Sequence, residues 1–457
     1  MEQREVPRKP AIAVTAITAF TMSLTGSALN LSVPNISDEF GVTASVVGWL
    51  ITAYMLTVAA LSVPFGRWAD ISYRKRVLIT GIVIFSAASA GGMLAVSMKM
   101  LILMRVIQGI GGAMVLSSNT PILLSAFPQT MRGKALGYSI GAVYIGLSLG
   151  PVLGGVLNQQ LGWRSIFAFA GLLALAALII AAWKIPRNPS EGQGRSLDLA
   201  GNILYVCFIV PFMYGLSEIG SGMSAYIWIC TGLVFGAAFI LRELKTDDPA
   251  LSISLFRSNL GYTLSNLAAL MNYAATFAIG YMTSIYLQVV LGYSSQTAGL
   301  ILIIQPAVMA LLTPKIGRLS DRYSPFKMSS AGMALCAAGT TFYIFLHEES
   351  GAAYIIAALL VTGLGFSLFS SPNTNAVLSC VEKKDYGVAN SLLNTMRSIG
   401  QTSSMVIVTI VVTVLLPGIQ LNQADPVHLT HVINVTFVIF TVMCIIGVFI
   451  SLKRKKQ

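Results

Sequence analysis

Charge is scarce in this chain. Only 29 basic and 17 acidic side chains are spread over 457 residues, whereas roughly a quarter of the residues of a soluble domain are charged. The five cysteines (Cys207, Cys230, Cys336, Cys380 and Cys444) lie in or at the ends of apolar runs and form no CxxC pair. They read as small buried hydrophobes. No GxxxxGK[ST] loop is present, which argues against ATP-driven transport by this chain. The polar connections, 242–259 among the longest, are too short for a soluble domain. Carboxylates are absent from the polar first apolar run, LTGSALNLSVPNI at Leu24–Ile36.

What the chain does have is long apolar runs. It is 55% hydrophobic with a mean hydropathy of +0.76, and runs of roughly 18 or more apolar residues are membrane-helix candidates. Fourteen are expected, at 11–33, 44–65, 77–97, 100–126, 134–157, 165–185, 198–217, 224–241, 260–290, 296–314, 328–346, 352–375, 388–416 and 430–452. The first is too long for a signal-peptide core and lacks a small-residue cleavage site. A net charge of +12 raises nucleic acid as a partner, but the placement of the charges removes it. Lys and Arg gather in the two termini and in every second loop. Only Lys99 and Arg164 fall in the alternate loops, with Arg105 and Arg397 inside spans. Such a bias orients membrane helices. The expectation is a multi-pass, all-α protein of the plasma membrane with both termini cytoplasmic.

An internal repeat organises the spans. GRWADISYRKR (Gly66–Arg76) follows the second, and GRLSDRYSPFK (Gly317–Lys327) follows the tenth. Each has aspartate four residues after the glycine, Asp70 and Asp321. The repeat is displaced by eight helices rather than six, so two helices are expected between two six-helix halves. The divisions read 1–197, 198–245 and 246–457. Parallel repeats with a substrate site between them are a secondary-transporter architecture.

Polar residues line certain helix faces. On the fourth span Arg105, Gln108, Gly112 and Asn119 fall on one side, and a charge inside a membrane helix marks a functional site by default. On the thirteenth, Asn390, Asn394, Arg397 and Gln401 share a face. On the ninth, Tyr262, Asn266, Tyr273, Ser284 and Gln288 add aromatic and amide groups suited to a planar heterocycle or to helix packing. The first helix is polar on both sides, with Ser23, Ser27 and Asn30 opposite Thr18, Thr21, Thr25 and Ser32, as for a helix surrounded by protein or water. Gly146, Gly150 and Gly154 stack along the fifth for close packing, and Pro151 permits a bend. Asp70, amid Arg67, Arg74, Lys75 and Arg76, is a candidate latch at the end of a helix pair.

Three of these stretches resemble motifs of the major facilitator superfamily. GRWADISYRKR resembles its cytoplasmic loop motif, with Tyr73 where glycine is frequent. RVIQGIGGA resembles its fourth-helix motif. GLSLGPVLGG resembles the fifth-helix motif of its drug:proton antiporter branch, and the fourteen spans with LNLSVPNI resemble the fourteen-helix subgroup. The resemblance covers the whole chain. It implies a monomeric secondary transporter of a small solute in the lipid bilayer, not an enzyme and without cofactor or metal. By family default it would export drug-like compounds or metabolites in exchange for protons. Antiporters of this branch usually carry aspartate where Thr25 stands. Thr25 cannot titrate, and the in-span arginines lack an obvious in-span acid. That combination favours the alternative of taking up a neutral or anionic nutrient such as a riboflavin-like vitamin. The expected substrate path comprises Thr25, Asn30, Arg105, Gln108, Asn119, Asn266, Tyr273, Asn390, Asn394 and Arg397. The expected gating set comprises Arg67, Asp70, Arg74, Gly150, Pro151, Gly154 and Asp321.

Overall fold

The fourteen apolar runs become fourteen helical spans. The computed structural model describes residues 6–128, 131–186, 198–219, 222–246, 259–320, 322–381 and 386–454, with the side chain of Asp70 outside that description. Helix α1 is Arg8–Phe40, with one 3-10 turn at Asn30–Ser32. Next come α2 (Ala44–Ile71), α3 (Arg74–Met93), α4 (Met98–Ser125), α5 (Arg132–Leu161) and α6 (Arg164–Lys184). Helices α7 (Leu199–Ser217) and α8 (Met223–Glu243) follow. Helix α9 is made of Leu260–Thr276 and Ile279–Ile285 and ends in a π turn, Tyr286–Val290. The remainder are α10 (Ser295–Ser320), α11 (Pro325–Ile344), α12 (Ala352–Ser379), α13 (Tyr386–Leu415) and α14 (Pro426–Leu452). Among the described residues there is no strand.

Twelve of these helices are long and apolar enough to cross a membrane on length and composition alone. The other two are α9 and α11, and each has a local reason. In α9 the Ala278 amide donates to Ser404 Oγ of α13 at 3.1 Å, and a side chain entering the backbone ladder interrupts a helix. Helix α11 is diluted by Ser329, Ser330, Gly332, Gly339, Thr340 and Thr341, small residues that let it sit among other helices.

The start of α1 and the end of α14 lie at one end of the bundle, here the terminal end. At the opposite, far end the links are tight. The positive-φ residues among those described, Gly41, Gly162, Gly222, Gly292 and Gly418, all lie in far-end links. At Gly41 (φ 60°) the amide bonds back to Asp38 O and closes α1, a left-handed cap that suits residues without a Cβ.

Helix packing repeats with a displacement of eight. In the first half α1 packs on α5 and α6, α3 on α4 and α6, and α2 on α4. In the second, α9 packs on α13 and α14, α11 on α12 and α14, and α10 on α12. The halves meet along two seams, α2 with α13 and α5 with α10, which exchange under the same repeat. Helices α7 and α8 pack on each other, and α7 lies on the α2–α13 seam. There Tyr205, Ile209 and Met213 join Leu56, Ala60 and Val63 of α2 and Val406 of α13.

The apolar core is shared between the halves at the far end. Leu24, Ile36 and Leu50 belong to one continuous cluster with Tyr281, Ile285 and Leu302. Towards the terminal end each half has a cluster of its own, Val58, Leu78 and Ile122 in the first and Tyr262, Val377 and Leu393 in the second. One end is therefore sealed by common packing, and towards the other the halves keep clusters of their own, joined along the α2–α13 seam under α7.

A candidate substrate site between the halves

The α13 arginine, Arg397, is half-buried on the second half's inner side. Its Nη2 donates to Thr374 Oγ1 of α12 at 2.6 Å and its Nη1 to Asn394 Oδ1 at 3.2 Å. The Nε is buried without a partner. The guanidinium lies 5.6 Å from the ring centre of Tyr273 on α9, within cation–π range. Tyr273 stands edge-on to Phe366 of α12 at 5.3 Å. From the first half, Tyr144 of α5 comes near Thr313 and Ser370, within electrostatic reach of Tyr273 and Arg397. Asn394 is exposed and Asn390, one turn earlier, half-buried. A cation held by neutral partners between aromatic faces attracts anionic or polar planar groups.

Arg105 on α4 is a different object. It is 1% exposed. Its Nε donates to Leu50 O of α2 at 2.8 Å, its Nη1 bonds Gln108 Oε1, and the guanidinium lies 4.3 Å from the Tyr54 ring centre. Gln108 in turn donates to Ser89 Oγ of α3 at 2.8 Å. These contacts tie α2, α3 and α4 together inside the first half and share no residue with those of Arg397.

The remaining sequence candidates scatter. Asn119 donates to Thr18 Oγ1 of α1 at 2.8 Å. Thr25 is buried and donates to Thr21 O of its own helix, and Asn266 likewise bonds Tyr262 O. Asn30 lies at the far end, where its carbonyl accepts from Ser284. The glycines of α5 pack as their spacing requires. A Cβ at Gly146, Gly150 or Gly154 would run into Phe20, Ser27 or Ala28 of α1, respectively. On another side of α5, the Pro151 carbonyl sits so close to Gly299 of α10 that no Cβ fits. Arg67 lies four residues before the end of α2 and Arg74 starts α3, while Asp321 lies outside the described residues.

Two features escaped sequence reading. Tyr144 sits two residues before Gly146, and its partners are on other helices, so helix periodicity alone does not reveal it. The second is a charge cluster at the base of the helix pair α7–α8. Asp198 caps α7 through Gly201 N at 2.9 Å and accepts from Arg242 at 2.7 Å. Burial pushes the Asp198 carboxyl up, but Arg242, the Gly201 amide and nearby Arg67 outweigh it and hold it below the usual range.

A two-half helical bundle, sealed at one end and holding a polar and aromatic cluster in its seam, is the architecture of a solute transporter. The family model described as Major Facilitator Superfamily matches residues 15–269 and 265–457, and the chain belongs to that family. Among curated relatives, a riboflavin transporter of Clostridioides difficile is 28% identical over 386 residues, 84% of each chain. A multidrug resistance protein of Mycobacterium tuberculosis is 26% identical over 424 residues, 91% of this chain and 78% of the relative. Among solved structures, a bacterial homologue of the human lysosomal transporter Spinster superposes with TM-score 0.71 at 16% identity, covering 98% of this chain and 97% of the other. That likeness speaks for the fold.

Proposed function

We propose that the protein is a secondary transporter that moves a small planar, neutral or anionic organic solute by rocking its halves about a site at Arg397. The observation that carries this reading is the Arg397 cluster: a half-buried cation with neutral partners, flanked by Tyr273, Phe366 and Tyr144, where the cores of the two halves separate. Asn390 and Asn394 extend the path along α13. Helix α5 is the moving contact, because Gly150, Pro151 and Gly154 press on α1 and the Pro151 carbonyl on α10. Arg67, Arg74, Asp70 and Asp321 form the latches at the terminal end. The basic loops and termini mark that end as cytoplasmic in the plasma membrane, and the far end as external. The functional divisions are 1–197, 198–245 and 246–457, and a single chain suffices for transport.

A second reading, proton-linked export of drug-like compounds, draws on the resemblance to the fourteen-helix antiporter branch and on the relative named for multidrug resistance. The two separate on charge. Among all 17 acidic residues of the sequence, none lies in the middle of a span. A lipophilic cation has no counter-charge there, and a proton has no carboxylate to occupy.

The test is flux in proteoliposomes under a proton gradient of either sign, with riboflavin and ethidium as probes. Riboflavin flux that is lost in Arg397→Ala, with little ethidium flux, is the expected result. Strong ethidium flux that follows the proton gradient, without riboflavin flux, would restore drug antiport.

A further inference from the structure

Five side-chain hydrogen bonds close a circuit between the halves at the far end. Ser284 Oγ on α9 donates to Asn30 O of α1 at 2.8 Å. Gln288 Nε2 donates to Ser284 Oγ at 2.9 Å, and Ser295 Oγ of α10 donates to Gln288 Oε1 at 2.8 Å. Asn158 Nδ2 of α5 then donates to Ser295 Oγ at 2.8 Å and to Leu31 O of α1 at 3.2 Å. The circuit begins and ends on adjacent carbonyls of α1 and crosses between the halves twice. Ser284, Ser295 and Asn158 are 0%, 5% and 3% exposed.

We propose that this circuit is the far-side gate of the transport cycle: its bonds hold the far end shut, and the two crossings must break before that end opens. This rests on the rocking reading above and assigns the contact that rocking must undo. The α5–α10 crossing lies where those two backbones press closest. The Ser295 backbone leaves no room for a Cβ at Gly155, nor the Pro151 carbonyl for one at Gly299. Side-chain bonds there cannot stretch to follow a separation of α5 from α10, so the gate is either closed or broken. Its members are uncharged, and a neutral hydrogen bond contributes only modestly once the bonds to water it replaces are counted. Such a gate holds firmly as a group and releases within the range that solute binding can supply. The α13–α14 link adds Ala44 N to Ile419 O at 2.9 Å, Gln420 Nε2 to Gly41 O at 3.1 Å, and an Asn422–Asp38 contact. Gln420, Asn422 and Asp38 bond at the exposed rim.

The circuit also reassigns residues whose sequence pattern suits a ligand. Ser284 and Gln288 spend their bonding capacity on each other, on Asn30 and on Ser295. The Asn30 backbone carbonyl therefore acts in closure, at the opposite end of the seam from Arg397.

The experiment is cysteine accessibility, which needs no knowledge of the solute. All five native cysteines are replaced by serine or alanine in the full-length chain. A reporter Gly280→Cys is placed on α9 one turn from Ser284, where an added Cβ meets only Asn30 Nδ2 at 3.4 Å. A second reporter, Asn394→Cys, is placed in a separate chain at the exposed α13 position. Membrane-impermeant maleimide is applied to intact cells and to inverted vesicles. Asn158→Ala and Gln288→Ala are each expected to speed far-side labelling of Gly280→Cys by about tenfold, the factor that loss of about 1.4 kcal/mol gives. Labelling of Asn394→Cys should slow, because opening one end closes the other. Asn422→Ala should change labelling less than twofold. Unchanged far-side labelling in both circuit variants would overturn the gate, as would faster labelling at both reporters, which signals general loosening. If the gate behaves as expected while riboflavin flux is absent, the solute assignment fails and the gate stands.

Discussion

Arg105 and Arg397 are both arginines inside membrane helices, each on a polar face, each against a tyrosine ring. Sequence treats them alike and structure does not. Arg105 is sealed among α2, α3 and α4, with its bonds turned onto its own half. Arg397 is half-buried in the seam, with only neutral partners and a Tyr144 neighbour from the opposite half. A third arginine, Arg454 just after α14, resembles Arg105. It bonds Asn373, Ser329 and Ser451 O, and burial pushes its guanidinium down to about 10. On the proposed reading, an arginine within the bundle serves either to join helices or to meet a solute, and the deciding feature is whether its neighbours come from one half or from both.

The largest effect is expected at the seam. Arg397→Ala should reduce transport by well over tenfold, while the protein reaches the membrane and melts normally in detergent. Arg397→Lys should recover only part, because an ammonium does not replace a planar guanidinium. Transport by Arg397→Ala at the normal rate would break the comparison at once. Arg105→Ala should act on the fold instead. It leaves the buried Gln108 Oε1 without its donor, at about 1–3 kcal/mol, and removes the second bond of the Leu50 carbonyl, which keeps its helical one. The expected readout is a lower melting temperature and less folded protein, with transport per folded molecule largely kept. A stable Arg105→Ala chain that does not transport would move Arg105 into the solute path.

This comparison also marks what sequence can carry. The fourteen spans were legible because hydropathy and positive-charge placement are properties of each segment alone. The Arg105–Gln108–Asn119 stripe was legible as a face, since period 3.6 fixes which residues point together. What that face meets was not, because Leu50, Ser89 and Thr18 lie on other helices. Tyr144 and the Asn158–Ser295–Gln288 circuit were invisible for the same reason. The contact of Ser284 with Asn30 joins residues 254 apart in the chain, and no local pattern announces it. The α9 interruption at Ala278 is another instance, since its cause, Ser404, sits on α13.

A smaller but sharper effect is expected from giving the interior the acid it lacks. Thr25 is buried on α1, and its hydroxyl is spent on Thr21 O at 2.6 Å. A carboxylate in a dry bundle has its pKa raised towards neutrality. Thr25→Asp should therefore create ethidium flux that depends on pH, rising as the carboxylate ionises, and should slow an anionic probe. Flux of both probes unchanged between about pH 6 and 8, the range in which a carboxylate raised by desolvation titrates, would show that α1 at this level does not face the solute.

The smallest effect concerns a cation that meets a carboxylate rather than neutral groups. Asp198 binds Arg242 at 2.7 Å and caps α7, fixing the helix pair that covers the α2–α13 seam. Asp198→Asn keeps an oxygen for the cap, as asparagine is a good N-cap residue, and removes only the charge. Arg242 is 42% exposed, so solvent screening keeps the loss small. Asp198→Ala removes the cap too and should cost about 1 kcal/mol more. The folded-state pKa of Asp198 is lowered, so its contribution is full above the ordinary carboxylate pKa of about 3.9. It disappears as pH falls through the lower folded value. Melting of the natural chain and of Asp198→Asn in detergent should therefore differ by a constant small amount from pH 8 to pH 5, and converge in stronger acid. A difference that grows on acidification would mean that this carboxylate is protonated in the fold, and that the helix pair is held by packing alone.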